Sequence, residues 1–204
     1  MALKGLRIFG GTHMTNWLAG FPDINTTKCP RLRGILLNVR PCGHINSAVP
    51  IYVSESPSQV FLSIMTTLYN HVLKNGIKSD EWPKLFIVMD YICNIDRTKA
   101  AQTPLPLSPP FDKLFISVSK VIHVFHHRNH VCPECKTGKY NPKNISVVYP
   151  KLKKRKTEAA EQSNAWLKRF AAVLNSISRN RQLFYLARQT FHRNKYLYTK
   201  SGRA

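Results

Sequence analysis

The chain has 204 residues, 43% of them apolar, and carries 31 Lys and Arg against 10 Asp and Glu, a formal net charge of +21. That length and apolar content support one domain with a real core and exclude a disordered tail. The charge excludes an ordinary near-neutral enzyme and favours a polyanionic partner, nucleic acid being the commonest, against the plainer readings of a merely basic protein or a fragment of a larger one. No apolar run approaches the roughly 20 residues that span a bilayer, so no membrane partner is expected. Residues 1–7 lack the apolar core of a signal peptide. The five cysteines, an odd number, point to reduced thiols and an intracellular site.

In chain order, residues 1–30 form a poorly defined N-terminal segment in which Gly10-Gly11 and Phe21-Pro22-Asp23 read as loops. Gly34–Val39 reads as a strand, Gly43 and Asn46 as a turn, and Val49–Val53 as a second strand whose Pro50 places it at an edge or a strand start, with a hairpin the simplest connection. Ser56-Pro57-Ser58-Gln59 opens a helix with a capping box. Val60, Ile64, Leu68 and His71 or Val72 form its apolar stripe, broadened by Phe61, Met65 and Leu73, and Gly76 ends it. Leu85–Met89 reads as a buried strand with Asp90 at its C-terminal tip, and a helix begins over Tyr91–Asp96. The prolines of Thr103–Pro110 exclude regular structure, and Phe115–Phe125 reads as another strand. A long helix begins near Thr157, with Trp166, Phe170, Val173, Ile177, Phe184, Ala187 and Phe191 as its core stripe and a break at Asn175–Asn180. Basic residues interleave that stripe, including Lys168 and Arg169, and suit a nucleic-acid backbone. Lys151, Lys153, Lys154, Arg155 and Lys156 make a basic run that contacts phosphates, acts as a nuclear address, or is simply a solvated linker.

After the apolar run Phe115–Val124 come three histidines and two cysteines within ten residues: His126, His127, His130, Cys132 and Cys135. Four residues separate His126 from His130, so a helical turn would stack them, and a C-x-x-C pair lets both sulfurs reach one ion. Imidazole and thiolate are ligands zinc prefers. Which histidine binds is left open by spacing, and a His-rich turn with two unpaired thiols is the plain alternative. Two carboxylates also stand where phosphoryl-transfer chemistry would use them: Asp90 at a strand tip and Glu161 early in a helix. Alone, Asp90 reads equally as a turn cap and Glu161 as a helix-dipole partner.

Several blocks resemble the C-terminal half of Kyakuja-Dileera-Zisupton transposases. They are Arg40-Pro41-Cys42-Gly43 with Ser54–Val60; Asp90-Tyr91-Ile92-Cys93; Phe125–His130 with Cys132 and Cys135; Tyr140-Asn141-Pro142; and Thr157–Leu167. They agree in order from about residue 31 to about residue 195. The resemblance implies a ribonuclease-H-like mixed sheet flanked by helices, with a long C-terminal helical region, acting as a DDE-type DNA strand-transfer domain with magnesium. By resemblance Asp90 takes the second acidic position and Glu161 the last, with Glu158 the alternative, and His126 and His130 match a His/Cys block near the site. Asp23 is the available residue for the first acidic position, and His123 stands near where relatives carry an Asp.

The sequence therefore predicts an α/β protein with an incomplete ribonuclease-H-like domain over 31–200. Its expected catalytic set is Asp23, Asp90 and Glu161, and its expected zinc set is His126, His130, Cys132 and Cys135. It is expected to be a truncated or degenerate, nuclear, DNA-binding transposase derivative with little surviving catalysis. The alternative is a basic zinc module that binds nucleic acid without catalysis.

Overall fold

The computed structural model describes residues 7–14, as a strand path, together with 32–52, 56–124, 126–144 and 159–200. Five strands form one mixed sheet in the order β3-β2-β1-β4-β5. They are β1 (Arg7–Met14), β2 (Gly34–Val39), β3 (Ile45–Ile51), β4 (Leu85–Met89) and β5 (Ser119–Val121). β1, β2 and β3 pair antiparallel, whereas β4 lies parallel to β1 and β5 parallel to β4.

The central strand β1 comes from a segment whose glycine pair reads as a loop from sequence, and so a strand does precede Gly34–Val39. Gly10-Gly11 sits where the β1–β4 register shifts, between Phe9 and Thr12. Glycine weakens a strand signal and marks such irregularities, which is why this strand did not announce itself. β2 and β3 form the expected hairpin, closed by hydrogen bonds Arg40 N to His44 O and Gly43 N to Arg40 O, with Gly43 at φ +86°; β3 starts already at Ile45, so Asn46 lies in the strand and not in the turn, because the turn closes at His44. Only a residue tolerant of the left-handed region fits that turn.

Helices cover both sheet faces. α1 (Pro57–Lys74) starts on Ser56, whose Oγ accepts from Gln59 N while Gln59 Oε1 accepts from Ser56 N. It ends at Asn75, followed by Gly76 at φ +57°. Its buried stripe Val60, Ile64, Leu68 and Val72 packs with Leu36, Ile87 and Met89 on one face of the sheet. Alternation along β2 sends Ile35, Leu37 and Val39 to the other face, into a second core under the C-terminal helices. With both faces covered, β2 and β4 are buried at every position, as central strands of such layered sheets are.

After β4 the chain forms α2 (Ile92–Asp96), α3 (Lys99–Gln102) and α4 (Leu114–Ser117). The expected strand over Phe115–Phe125 is therefore largely replaced: its start is helical, and only Ser119–Val121 pairs with β4. A short apolar run suits either state. Here the helical turn lets Phe115 enter the core edge-to-face with Phe61, ring centroids 4.9 Å apart. α5 is Pro133–Lys136, and the C-terminal layer is α6 (Ala159–Lys168), α7 (Ala171–Ser176) and α8 (Arg179–Lys200). The break inside Asn175–Asn180 is present, but a second falls after Lys168. Each break resets the helical phase, so the stripe projected through Phe184 and Phe191 fails. Both are exposed, at 67% and 63%, and Gln182 and Leu186 face the core instead. α8 is pinned to edge strand β3 by Asn194, which accepts from Ile45 N and donates to Ile45 O. Small residues on α6, with Ala159, Ala160 and Ser163 buried, let it lie close against β1 and β2.

Asp96, buried at the end of α2, holds the site-bearing half together. Its carboxylate pairs with Lys120 on β5 (3.2 Å) and Lys139 (2.7 Å), and accepts from the Tyr140 hydroxyl at 2.6 Å. Burial works against its charge. The hydrogen bonds from Lys139 and Tyr140 and the charge of Lys120 outweigh it and hold the Asp96 carboxyl below the usual range. Burial and the same carboxylate push the Tyr140 phenol up to about 12. Asp96→Asn leaves Lys120 buried beside a neutral amide, and loss of one partner of a buried pair costs about 3–5 kcal/mol. Urea unfolding at neutral pH should show a loss of that order. Because the folded value lies below that of the unfolded chain, about 3.9, this contribution is present above that pH and fades as pH falls through the lowered folded value. A variant as stable as the parent at pH 7 would contradict the assignment.

Candidate metal centres

β4 delivers Asp90 at its tip, and α2 begins two residues later, so Cys93 projects from the first helical turn. β5 delivers His123. His126 N and His127 N both donate to His123 O, at 3.1 and 3.0 Å, which folds the stretch after β5 back over the end of β4. The C-x-x-C follows, with Cys132 capping α5 and Cys135 buried inside it.

This folding sorts the His/Cys stretch into two clusters. In one, the donor atoms of Cys93, His130, Cys132 and Cys135 all lie within 4.8 Å of one another. His130 Nδ1 sits 3.7 Å from Cys93 Sγ, and the Cys132 and Cys135 sulfurs are joined as a disulfide, where the sequence reading expected reduced thiols. In the other, Asp90, His123 and His126 bring one donor atom each within 4.8 Å. His126 thus leaves the set in which the sequence placed it, because the turn at His123 points it back toward β4. Cys93 takes the fourth place beside His130, Cys132 and Cys135. His127 is used otherwise: its Nε2 is 2.8 Å from Cys135 O, as donor to that carbonyl, so it braces the C-x-x-C turn. Arg97 and Glu134, paired at 2.7 Å, tie α2 to α5 on the outside. The Glu134 carboxyl is held low by its own backbone amide and then by Arg97.

Asp90 and Glu161 do come together. His126 Nε2 lies 3.6 Å from Asp90 Oδ2 and 3.6 Å from Glu161 Oε1, so the two carboxylates are within twice that distance of each other. Asp23 lies outside the described residues, as do Glu158 and the basic run Lys151, Lys153, Lys154, Arg155 and Lys156. The β1 sequence, RIFGGTHM, holds no Asp or Glu, so this strand does not supply a first acidic position. Lys168 and Arg169 are exposed at the end of α6.

Sequence reasoning missed Cys93 and His123 as site residues. The signal was present in both: Cys93 falls one helical turn after a strand-tip aspartate, and His123 ends an apolar run where burial leaves an imidazole little to bond. His123 is only 4% exposed, and neither ring nitrogen has a hydrogen-bond partner. Burial pushes the Cys93 thiol up, with Arg97 partly opposing it.

The donor chemistry separates the two clusters. Three sulfurs and one imidazole could hold a metal ion, and among divalent ions thiolate donors suit soft or borderline metals. The carboxylate cluster contains two imidazoles, whereas magnesium takes oxygen ligands in near-ideal octahedral geometry. Among the described residues, neither cluster that could hold an ion is the all-oxygen set that a magnesium pair takes. No protein-family model, curated protein or solved structure matches the chain.

Thiol accessibility checks the placement of the sulfurs. Cys42 is exposed and Cys93 is buried. Alkylation of the folded, reduced, metal-stripped protein, read by peptide mass, should label Cys93 roughly tenfold or more slowly than Cys42. Equal rates would contradict the buried placement.

Proposed function

We propose that the chain is a transposase-derived DNA-binding domain, a degenerate strand-transfer core that holds DNA without magnesium-dependent cutting. The observation that carries this reading is the sheet with its flanking carboxylates. A β1–β3 antiparallel meander continues into parallel β4 and β5, which supports the mixed sheet that the resemblance implies, and Asp90 at the β4 tip meets Glu161 of a late helix around His126. The lack of an acid in β1 and the presence of imidazoles among the carboxylates argue against the two-ion chemistry of the resembled family. A net charge of +21, with Lys168 at the end of α6, Arg169 just after it, and Arg181, Arg188 and Lys195 on α8 all exposed, supplies the attraction for phosphates. A DNA partner would place its work in the nucleus.

In this reading the cluster of Cys93, His130, Cys132 and Cys135 is a structural zinc site. Two electrons and two protons from a dithiol reductant would open the Cys132–Cys135 bond, and the three deprotonated cysteines with His130 would then hold the ion. Bound zinc would lock α2 to α5 and fix the stretch that carries His126. A basic zinc module with no transposase descent rests on the same cluster and charge; the sheet order favours descent.

Binding to duplex DNA should weaken steeply with salt, the slope of log K against log salt being near −0.9 per phosphate contacted. Lys168→Glu with Arg169→Glu should make that slope shallower. Salt-independent binding would remove the DNA reading. In a nicking assay with magnesium, wild type and Asp90→Ala should be equally inactive; cutting by wild type alone would overturn the degenerate assignment. For zinc, the reduced protein should carry one equivalent by elemental analysis and lose several degrees of Tm on chelation. Cys93→Ser should lose both. Zinc-free wild type of undiminished stability would contradict the site.

A further inference from the structure

We propose that Asp90, His123 and His126, with Glu161 completing the set, form a second metal site, specific for a divalent first-row transition metal. It does not rest on transposase descent, and its donors differ from those of the Cys/His centre and from the all-oxygen set that magnesium takes.

An imidazole in the interior needs a partner for its ring nitrogens, and one left without any loses its hydration uncompensated. His123 is 4% exposed and has no hydrogen bond at either nitrogen. Its neighbours there offer lone pairs: the donor atoms of Asp90, His123 and His126 lie within 4.8 Å of one another, and the His123 and His126 rings are 5.7 Å apart between centroids, tilted by 50°. Two imidazoles with one carboxylate is the set that zinc, iron, cobalt and manganese accept. A cation among them would give the buried imidazole its partner.

Glu161 extends the site on the side of α6. Its Oε1 is 3.6 Å from the same His126 Nε2 that lies 3.6 Å from Asp90 Oδ2. One imidazole between two carboxylates is an arrangement a bound cation would reinforce, because both acids would then face positive charge. Burial is graded across the cluster: His123 is enclosed, while the side chains of Asp90, His126 and Glu161 keep 21%, 27% and 34% of their exposure. The ion would be held from the protein side and open on the other, leaving room for a water or a phosphate oxygen as a further ligand.

The two sites share one strand end. Asp90 faces this one and Cys93, a helical turn later, faces the sulfur cluster, while His126 and His130 divide in the same way. The pair of ions would therefore fix the turn after β5 at both of its ends.

Cobalt(II) is the probe, because its visible spectrum distinguishes sulfur from nitrogen and oxygen ligands. Full-length protein, reduced with a non-coordinating phosphine and stripped by chelation, is titrated with cobalt. One component should carry thiolate-to-cobalt charge-transfer absorption, and a second should show cobalt d–d bands without it. His123→Gln should abolish the second component alone or weaken it by roughly 100-fold or more, beyond the 10–100-fold that loss of a supporting partner costs. Asp90→Asn alters a partly exposed group, so it keeps the test sound should His123→Gln fail to fold; it should remove the same component. Cys93→Ser should leave that component in place. Retention of the second component in Asp90→Asn, its absence from wild type, or its displacement by an equal concentration of magnesium would overturn the proposal. Failure of the charge-transfer component alone would count against the zinc centre and not against this site.

Discussion

Three side chains spaced three apart, Asp90, Cys93 and Asp96, leave the buried end of β4, and the functional half of the molecule depends on where they go. Asp90 turns to His123, His126 and Glu161; Cys93 turns to the sulfurs; Asp96 turns inward to Lys120, Lys139 and Tyr140. All three are positioned by β4, which is covered on both faces and paired on both edges. A strand fixed in this way gives the residues after it little freedom of direction. The buried ion network then anchors the far end of α2, so that the strand tip and the helix hold the two clusters apart.

The charge of the chain is arranged around this core rather than within it. The acids that can be followed are largely committed. Asp96 is neutralised by two lysines, Glu134 is paired with Arg97, and Asp90 and Glu161 share His126. Many of the cations on α6 and α8 face outward. Where one does turn in, it finds an aromatic face: Arg193 lies 4.7 Å over Trp166 and is pulled below its ordinary range by burial. Such stacking keeps a guanidinium rigid without using an acid. In a protein with so few carboxylates this leaves the outer helices strongly cationic.

How much of this was legible depended on how local each signal was. The α1 cap, most of its stripe and its Gly76 terminus are short-range chemistry and were readable locally, as were the existence of the β2–β3 hairpin and the buried β4 with its terminal aspartate; Leu73, expected in the stripe, is exposed, and β3 starts at Ile45 where Val49 was expected. β1 was hidden because its glycine pair breaks the alternation that marks a strand. The phase of α8 was misread because two helix breaks reset it. At the site, the types of ligand were visible but their partition was not. Spacing alone grouped His126 with His130, and only the backbone turn at His123 sends them to different clusters. Cys93 lies 37 residues from His130, a contact that depends on β5 pairing with β4, which no local pattern encodes.

The claim that most of this rests on is that one strand end serves two chemically distinct centres. Anomalous diffraction from crystals of the reduced protein loaded with cobalt tests it most directly. Two separate peaks are expected, one among Cys93, His130, Cys132 and Cys135 and one among Asp90, His123 and His126, with Glu161 beside the second. A single peak bound by members of both sets, or Asp90 and Glu161 on opposite sides of the molecule, would contradict it.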